Sequence, residues 1–342
     1  MSVDRGTLLG LFISGSAIML LGIGLNVAIL IELKTVKLQS RLTPWLLRSQ
    51  VVFDGLACSL TILILWVQKI PTNDEVSGAI VCYLWDSQSS FWTAIALSTC
   101  NLMCITFDHL LATVHCVTYR IYQTRYIVAC CIATFIYTLL VALPISLVVY
   151  YTNGTCQTEV RPEYVVAFYT AKIHQSLWAV VYYLLPLTFL ITVHFRVACH
   201  IKANFRLRHT FTAPVAELSS ATGQESNCGS VNDIGDAQSR SVIKSLTVGT
   251  FCLITSMILA HSYDSFYYVF GPSLGYAYIV GSAEQLISLL ITAINCAVNP
   301  VILALSLPSM RKKIFHHMRM IKQHLGQFCH SCPSVRMKPN IH

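Results

Sequence analysis

The chain has 342 residues, of which 55% are hydrophobic and 11% are charged. Soluble domains carry about 25% charged residues, so this composition excludes a soluble protein with an ordinary polar surface and favours one surrounded by lipid. The net charge of +8 comes from an excess of Lys and Arg on the side of the membrane that is predicted below to be cytoplasmic. It indicates anionic membrane lipid and an acidic protein surface as partners, and no nucleic acid.

Seven apolar stretches are long enough to cross a bilayer, because a spanning helix needs about 20 mostly apolar residues. They are Leu8–Ile31, Pro44–Gln68, Ile80–Val114, Ile127–Tyr151, Ile173–Ala198, Val242–Gly271 and Tyr276–Leu305. The third is the longest, and we expect it to be tilted and to extend beyond the lipid. The predicted fold is all-α, a seven-transmembrane helix bundle over residues 8–305.

The first stretch could be a cleaved signal peptide. Its apolar run exceeds the roughly 7–15 residues of such peptides, and Lys34 and Lys37 follow directly, so a retained anchor is favoured. With the N-terminus outside, 19 of the 23 Lys and Arg residues lie on the cytoplasmic side, in agreement with the positive-inside rule. We predict a multi-pass plasma membrane protein with residues 1–7 extracellular and a cytoplasmic C-terminus.

Two cysteines, Cys82 and Cys156, lie at the predicted outer face, where an oxidising compartment favours a disulfide between them. Asn153 opens a glycosylation sequon in the same outer loop. In the inner tail, Cys329 and Cys332 are better placed for palmitoylation than for zinc binding. Two unmodified thiols are the remaining alternative for the tail.

Two cytoplasmic segments differ from the spans. Residues 209–241 are polar and rich in Ser, Gly, Asn and Asp, which predicts a disordered loop. In residues 306–342, apolar positions 310, 314, 315, 318 and 321 recur with helical spacing among basic residues. This pattern predicts a short amphipathic helix on the inner membrane surface after the seventh span.

A small set of polar residues lies within the apolar stretches. Asp54 is the one acid of the second stretch, and an acid in a bilayer is costly and usually functional. Asn295 and Asn299 are four residues apart and share a helix face. Together with Asn26 and Ser98 they could form an oxygen-rich core that admits a sodium ion. A water-filled hydrogen-bond network without any ion is the equal alternative, and no other metal or cofactor is predicted.

The order of these features resembles that of rhodopsin-like (class A) G protein-coupled receptors along nearly the whole chain. The matching features are Asn26 in span one, Asp54 in span two, Cys82 and Asp108 at the two ends of span three, Cys156 in the next outer loop, Pro186 in span five, and Asn299-Pro300 in span seven. The resemblance implies a receptor rather than an enzyme, with an unknown extracellular ligand. It also implies a heterotrimeric G protein as partner and arrestin as a further candidate.

The resemblance also identifies an altered activation switch. In that family an acid at the inner end of helix three holds a neighbouring arginine in the off state, and the arginine moves to the G protein in the on state. Here the pair is Asp108-His109. Histidine can still pair with the acid, but it is shorter and lacks the five-donor fork, and it titrates near neutral pH. The switch is therefore expected to be weakened or made pH-dependent.

Other activation elements of the family are changed as well. The usual inner tyrosines are replaced by His194 in span five and by Leu303 after Asn299-Pro300 in span seven. The sixth span has neither the usual tryptophan nor the usual proline. These changes make conventional G-protein coupling less efficient, and they leave a non-signalling or decoy receptor-like protein as the alternative function.

The outer ends of the spans carry the predicted ligand-binding residues. The family's amine-binding aspartate and retinal lysine are replaced by Phe91 and Ala293, which argues against a monoamine as ligand and excludes a retinal receptor. Aromatic walls with a few polar groups suit a small cationic molecule or a short peptide. The candidates are Gln88, Phe91, Trp92, Gln175, Trp178, Tyr182, His261, Asp264, Tyr268 and Gln285.

The spacing of Cys82, Trp85, Trp92, Asn101 and Asp108 additionally resembles orphan receptors of flatworms. Two further classes remain as alternatives. A seven-span membrane hydrolase would need His or acid metal ligands at one depth, whereas the histidines near the spans lie at different depths. A transporter or channel would be favoured by internal symmetry, which the sequence does not display.

Overall fold

A computed structural model describes residues 5–35, 40–67, 69–157, 165–222, 230–271, 274, 279–307, 310–316 and 319–320. The helices are α1 (Arg5–Thr35), α2 (Leu42–Trp66), α3 (Glu75–Val81), α4 (Ser89–Val114), α5 (Cys116–Ile121), α6 (Gln123–Ser146), α7 (Val165–Leu177), α8 (Leu185–Thr222), α9 (Ser230–Phe270), α10 (Ala283–Ser306) and α11 (310–316). Two π-helical segments, Cys82–Asp86 and Trp178–Leu184, precede α4 and α8.

Within the described residues, six helical segments are long and apolar enough to span a bilayer: α1, α2, α4, α6, the joined α7–α8 helix and α10. Helix α9 packs against α8 and α10 and completes the bundle. The predicted all-α seven-helix bundle is confirmed. Its lipid-facing surface is apolar, with Leu20, Leu21 and Phe135 all more than 60% exposed.

Helix α4 lies at the centre of the bundle and is buried along most of its length. It packs against α2, α6 and α8, while α10 packs against α1, α2 and α9. The polar residues of α2, α4 and α10 therefore face one another in the interior, where each must find a hydrogen-bond partner.

The third apolar stretch is broken rather than continuous, which corrects the prediction of one long tilted helix. Asp74 caps α3 by accepting a hydrogen bond from the Ser77 backbone N–H at 2.8 Å. The π-helical segment follows, and Gln88 then adopts φ 58°, a left-handed conformation that cannot continue a helix. Hydropathy does not record such a single-residue break.

A short hairpin, β1 (Tyr150–Thr152) and β2 (Thr155–Gln157), covers one end of the bundle. Its turn residues Asn153 and Gly154 have φ values of 49° and 73°, as two-residue hairpin turns with Asn-Gly require. The predicted Cys82–Cys156 disulfide is present, with the two Cα atoms 5.3 Å apart. We call this end of the bundle the disulfide end.

Helix is present in both segments that the sequence predicts to be cytoplasmic. Helix α8 extends to Thr222 and α9 begins at Ser230, so both helices reach into the segment 209–241. Extension of an existing helix adds one hydrogen bond per residue without a new nucleation step. Helix α11 matches the first part of the predicted amphipathic helix, and its Lys313 pairs with Glu32 of α1 at 2.8 Å. Cys329 and Cys332 lie outside the described residues.

Candidate functional site

A buried hydrogen-bond network surrounds Asp54 in the interior of the bundle. The Asp54 side chain, on α2, is fully buried. Ser98 of α4 donates its hydroxyl to Oδ1 at 2.6 Å, and Asn299 of α10 donates its amide to Oδ2 at 3.1 Å. Three of the five predicted core residues are thus brought together, and their hydrogen bonds offset part of the desolvation of the carboxylate.

The two other predicted core residues point elsewhere. The Asn26 amide donates to the backbone carbonyls of Gly22, at 2.9 Å, and of Cys296, at 3.2 Å. The Asn295 Oδ1 atom accepts a hydrogen bond from Ser256 of α9 at 2.8 Å. These amides therefore join α1 and α9 to α10 instead of surrounding Asp54.

Gln50 is the member of this network that sequence reasoning missed. Its Nε2 atom lies 3.1 Å from each carboxylate oxygen of Asp54 and 2.7 Å from the Ser98 hydroxyl. It precedes Asp54 by four residues, so the two side chains share one face of α2. That spacing was the available signal.

The residues around Asp54 do not fit a sodium ion. Hard cations are bound by oxygen atoms. Here an amide NH₂ group, which can only donate, lies within hydrogen-bond distance of both carboxylate oxygens. A cation beside the carboxylate would meet the partial positive charge of the amide hydrogens.

A second network lies near the end of α4 opposite the disulfide, which we call the Asp108 end. Asp108 Oδ2 accepts a hydrogen bond from the Thr43 hydroxyl at 2.7 Å, and Oδ1 accepts one from the Tyr119 hydroxyl. The Ser40 hydroxyl lies 2.5 Å from the same phenol oxygen. Burial, and then the neighbouring Asp108, raise the pKa of Tyr119 to about 12, so the phenol stays protonated and donates.

His109 turns away from Asp108, which corrects the expected pairing. Its Nε2 atom lies 3.1 Å from the Thr247 hydroxyl of α9. Adjacent residues on a helix do not face each other, and the imidazole is too short to turn back. His194 of α8 packs its ring against Phe251 of α9, with the centroids 5.4 Å apart. The α4–α9 contact at this end is therefore a hydrogen bond rather than an ion pair.

The residues of the predicted seventh-span motif differ in their contacts, and one of them joins the Asp54 network. Asn299 bonds to Asp54, Pro300 lies inside α10, and Leu303 is buried. A leucine offers no hydroxyl where the predicted family usually has a tyrosine. The motif therefore links to the Asp54 network but supplies no polar group from position 303 to the Asp108 end.

Replacing Tyr119 by phenylalanine tests the second network. The variant loses the hydroxyl that donates to Asp108, and hydrogen bonds to charged groups contribute about 1.5–3 kcal/mol. We expect the melting temperature of the purified protein to fall by about 2–4 °C. The matched control is Tyr122→Phe, because Tyr122 lies three residues away and is exposed. Equal melting temperatures for the two variants would contradict this role for Tyr119.

A cavity of about 400 Å³ opens at the disulfide end. Seven of the ten predicted ligand-binding residues line it, namely Gln88, Trp92, Gln175, Trp178, Asp264, Tyr268 and Gln285. His174 lines it as well, together with Lys172 and Phe168, which the sequence did not predict to bind a ligand. They fall on the side of α7 that turns inward, which the sequence alone does not identify.

The three other predicted ligand-binding residues pack against the aromatic wall of the cavity but do not line it. Tyr182 stacks on Trp178 with ring centroids 4.1 Å apart, and the His261 ring lies 5.2 Å from that of Tyr182. Phe91 is fully buried and packs edge-on against Trp92. Buried aromatic pairs of this kind stabilise a wall in one arrangement, so these three shape the cavity without lining it.

Polar groups of the cavity are held by specific partners. The amides of Gln88 and Gln285 exchange two hydrogen bonds, at 2.5 and 3.2 Å. Asp264 is 1% exposed, and its Oδ1 accepts a hydrogen bond from Ser288 at 2.6 Å. The cavity therefore combines aromatic faces, a pair of amides that connects the N-cap of α4 to α10, and a carboxylate from α9.

The sequence model of a family described as "7 transmembrane receptor (rhodopsin family)" matches residues 26–303. The chain belongs to this family. It is thus a multi-pass membrane receptor, from a family of receptors rather than of enzymes.

The receptor's fold is also found among solved structures. It is similar to the crystal structure of squid rhodopsin, with a TM-score of 0.66 over 94% of this chain and 88% of that chain. The sequence identity is 13%, so this similarity shows the fold alone. No curated protein sequence matches the receptor.

Proposed function

We propose that the receptor binds a small cationic molecule or a short peptide in the cavity at the disulfide end and activates a heterotrimeric G protein at the Asp108 end. The observation that carries the proposal is a buried carboxylate, Asp264, in the wall of an aromatic cavity. Aromatic faces and a carboxylate together attract a cationic group. The cavity also has a volume in the range of small-ligand sites.

The ammonium group of Lys172 adds a second charge to the cavity, and this charge favours a ligand with two polar ends. Lys172 lines the cavity, and its Nζ atom lies 4.5 Å from the centre of the Phe168 ring. A carboxylate or another acceptor on the ligand could pair with this ammonium while the cationic group approaches Asp264. A short peptide carries both groups, and a small zwitterion carries them as well.

The proposed orientation places the disulfide end outside the cell, in the plasma membrane. A disulfide favours an oxidising compartment, and Asn153 of the sequon is exposed at the tip of the hairpin. The excess of Lys and Arg in the segments at the Asp108 end agrees with a cytoplasmic location. Glycosylation of Asn153 and palmitoylation of Cys329 and Cys332 belong to the same proposal.

Helix α9 offers the route between the two ends. It carries Asp264 in the cavity wall and Thr247 beside His109. A ligand that pulls on Asp264 would move α9 as one element and break the His109–Thr247 hydrogen bond. Because this contact is a hydrogen bond and not an ion pair, little holds the off state, and we expect a small activation range.

The same switch favours a second candidate function, a non-signalling or decoy receptor-like protein. A receptor that lacks the arginine beside Asp108 offers a G protein a weaker donor. Arrestin is then a further candidate partner, and the resemblance to flatworm orphan receptors would fit either role. G-protein activation separates the two functions.

Screening a library of cationic small molecules and short peptides with both G-protein and arrestin readouts tests the proposal. For a ligand found in this way, Asp264→Asn should weaken binding about 10- to 100-fold, because a charge-assisted contact of about 1.5–3 kcal/mol is lost. The expected loss should be specific for cationic ligands and absent for neutral analogues.

The matched control is Asp86→Asn, which neutralises another acid at the disulfide end that does not line the cavity. It should leave affinity within about two-fold of wild type, since a partly screened charge outside the cavity lining contributes little. Equal affinity losses in the two variants, or none in Asp264→Asn, would contradict the proposed ligand site.

A further inference from the structure

The carboxylate of Asp54 is surrounded by neutral donors from three directions. Gln50, Ser98 and Asn299 donate to its two oxygens at distances between 2.6 and 3.1 Å. Two of these three residues are amides. Hydrogen bonds from neutral groups to an ionised acceptor are among the stronger ones in proteins. The negative charge is therefore stabilised by the chain itself.

The orientation of the Gln50 amide is set by a chain of hydrogen bonds. The backbone carbonyl of Leu46 can only accept, so Asn101 must present its NH₂ group there, at 2.9 Å. The same NH₂ group donates to Gln50 Oε1 at 2.9 Å. Because Oε1 is engaged in this way, Nε2 must face Asp54. Turning the Gln50 amide would place donor against donor at Asn101.

We infer that the Gln50 amide takes the place of a cation beside Asp54, so that the polar core of this receptor does not bind sodium. The NH₂ group lies within 3.1 Å of both the carboxylate and the Ser98 hydroxyl. Its hydrogens occupy the side of the carboxylate that a cation would share with Ser98. Gln50 supplies the partial positive charge, and Asn101 is the positioning residue that directs it.

Removal of the Gln50 amide should allow sodium to bind, because a set of oxygen atoms then remains around Asp54. In the described part of the chain, the buried Oδ1 atoms of Asn26 and Asn299 make no hydrogen bond. Asn299 already contacts Asp54, so its free oxygen is close to the carboxylate. Without Gln50, the oxygens of Asp54, Ser98 and Asn299 could surround a hard cation.

The experiment compares melting temperatures of the full-length receptor in sodium chloride and in choline chloride at equal ionic strength. Wild type should melt within about 1 °C in the two salts. Gln50→Met, which keeps the length of the side chain and removes its donors, should melt about 2 °C or more higher in sodium. Asn101→Ala frees the amide to turn its oxygen toward Asp54, and a smaller sodium response is expected.

Asp54→Asn introduced into each background is the control, and it should abolish any response gained. A sodium response in wild type that Asp54→Asn removes would overturn the inference. So would folded Gln50→Met and Asn101→Ala variants that respond no more than wild type. A response gained in either variant over a silent wild type supports it. The readout needs neither ligand nor G protein, so its outcome is independent of the proposed function.

Discussion

Replacing Cys82 by serine is expected to remove most of the folded receptor from the membrane. The disulfide joins the segment before α4 to strand β2 across 74 residues of sequence. Closing a loop of this size removes unfolded-state entropy equivalent to about 4 kcal/mol, and loss of native disulfides typically costs about 2–5 kcal/mol. Total stabilities of folded domains are about 5–15 kcal/mol, so this is a large share.

The measurement is the amount of monodisperse receptor on fluorescence-detected size-exclusion chromatography, together with its melting temperature. Cys131→Ser is the matched control, because Cys131 is a free, exposed cysteine of α6. Cys156→Ser and the double variant should equal Cys82→Ser, since all three lose the same bond. A yield of Cys82→Ser equal to that of Cys131→Ser would show that the disulfide does not stabilise the fold.

Replacing His109 by arginine is expected to lower basal G-protein activation and to raise its ligand-stimulated maximum. The longer guanidinium can reach back to Asp108, which the imidazole does not. A charge-assisted contact would exceed the present hydrogen bond to Thr247 by about 1 kcal/mol. Basal nucleotide exchange should therefore fall about three- to ten-fold. In the on state the arginine offers the G protein a permanent charge.

The control for this variant is His115→Arg, which makes the same substitution at an exposed position six residues further along. It changes the net charge equally, but it lies beyond the Asp108 network. Both variants are compared with wild type in lipid nanodiscs with the same purified G protein. If His115→Arg lowers basal exchange as much as His109→Arg, then surface charge explains the effect and the switch does not.

The helix bundle was predictable because lipid imposes a simple rule on the backbone. Each spanning segment must be helical and apolar over about 20 residues, and hydropathy records this directly. The break at Gln88 was not predictable, because it rests on one left-handed residue and a π-helical segment. The side of α7 that turns inward also depends on packing, so Lys172 and Phe168 were not predicted to line the cavity.

The polar residues show a similar division. Asp54, Ser98 and Asn299 converge as predicted, since a buried acid requires partners. The Asn26 amide instead donates to backbone carbonyls, and Asn295 accepts a hydrogen bond from a hydroxyl of α9. The sequence does not predict either partner.

Two features could have been inferred from helix geometry alone. Gln50 lies one turn from Asp54, on the same face of α2. Asp108 and His109 are adjacent, and adjacent side chains point in different directions, so their pairing was the less favourable expectation. In both cases the positions of the side chains around the helix axis determine which of them can meet.

We propose that this receptor activates a G protein through a weakened switch at the Asp108 end. The most direct measurement is the initial rate of nucleotide exchange on a panel of purified heterotrimers, with wild type in nanodiscs and with the variant His109→Arg, His194→Tyr, Leu303→Tyr. For at least one heterotrimer we expect wild type to exceed empty nanodiscs, and the triple variant to give the larger ligand-stimulated increase. Rates equal to those of empty nanodiscs for both proteins and every heterotrimer would contradict the account.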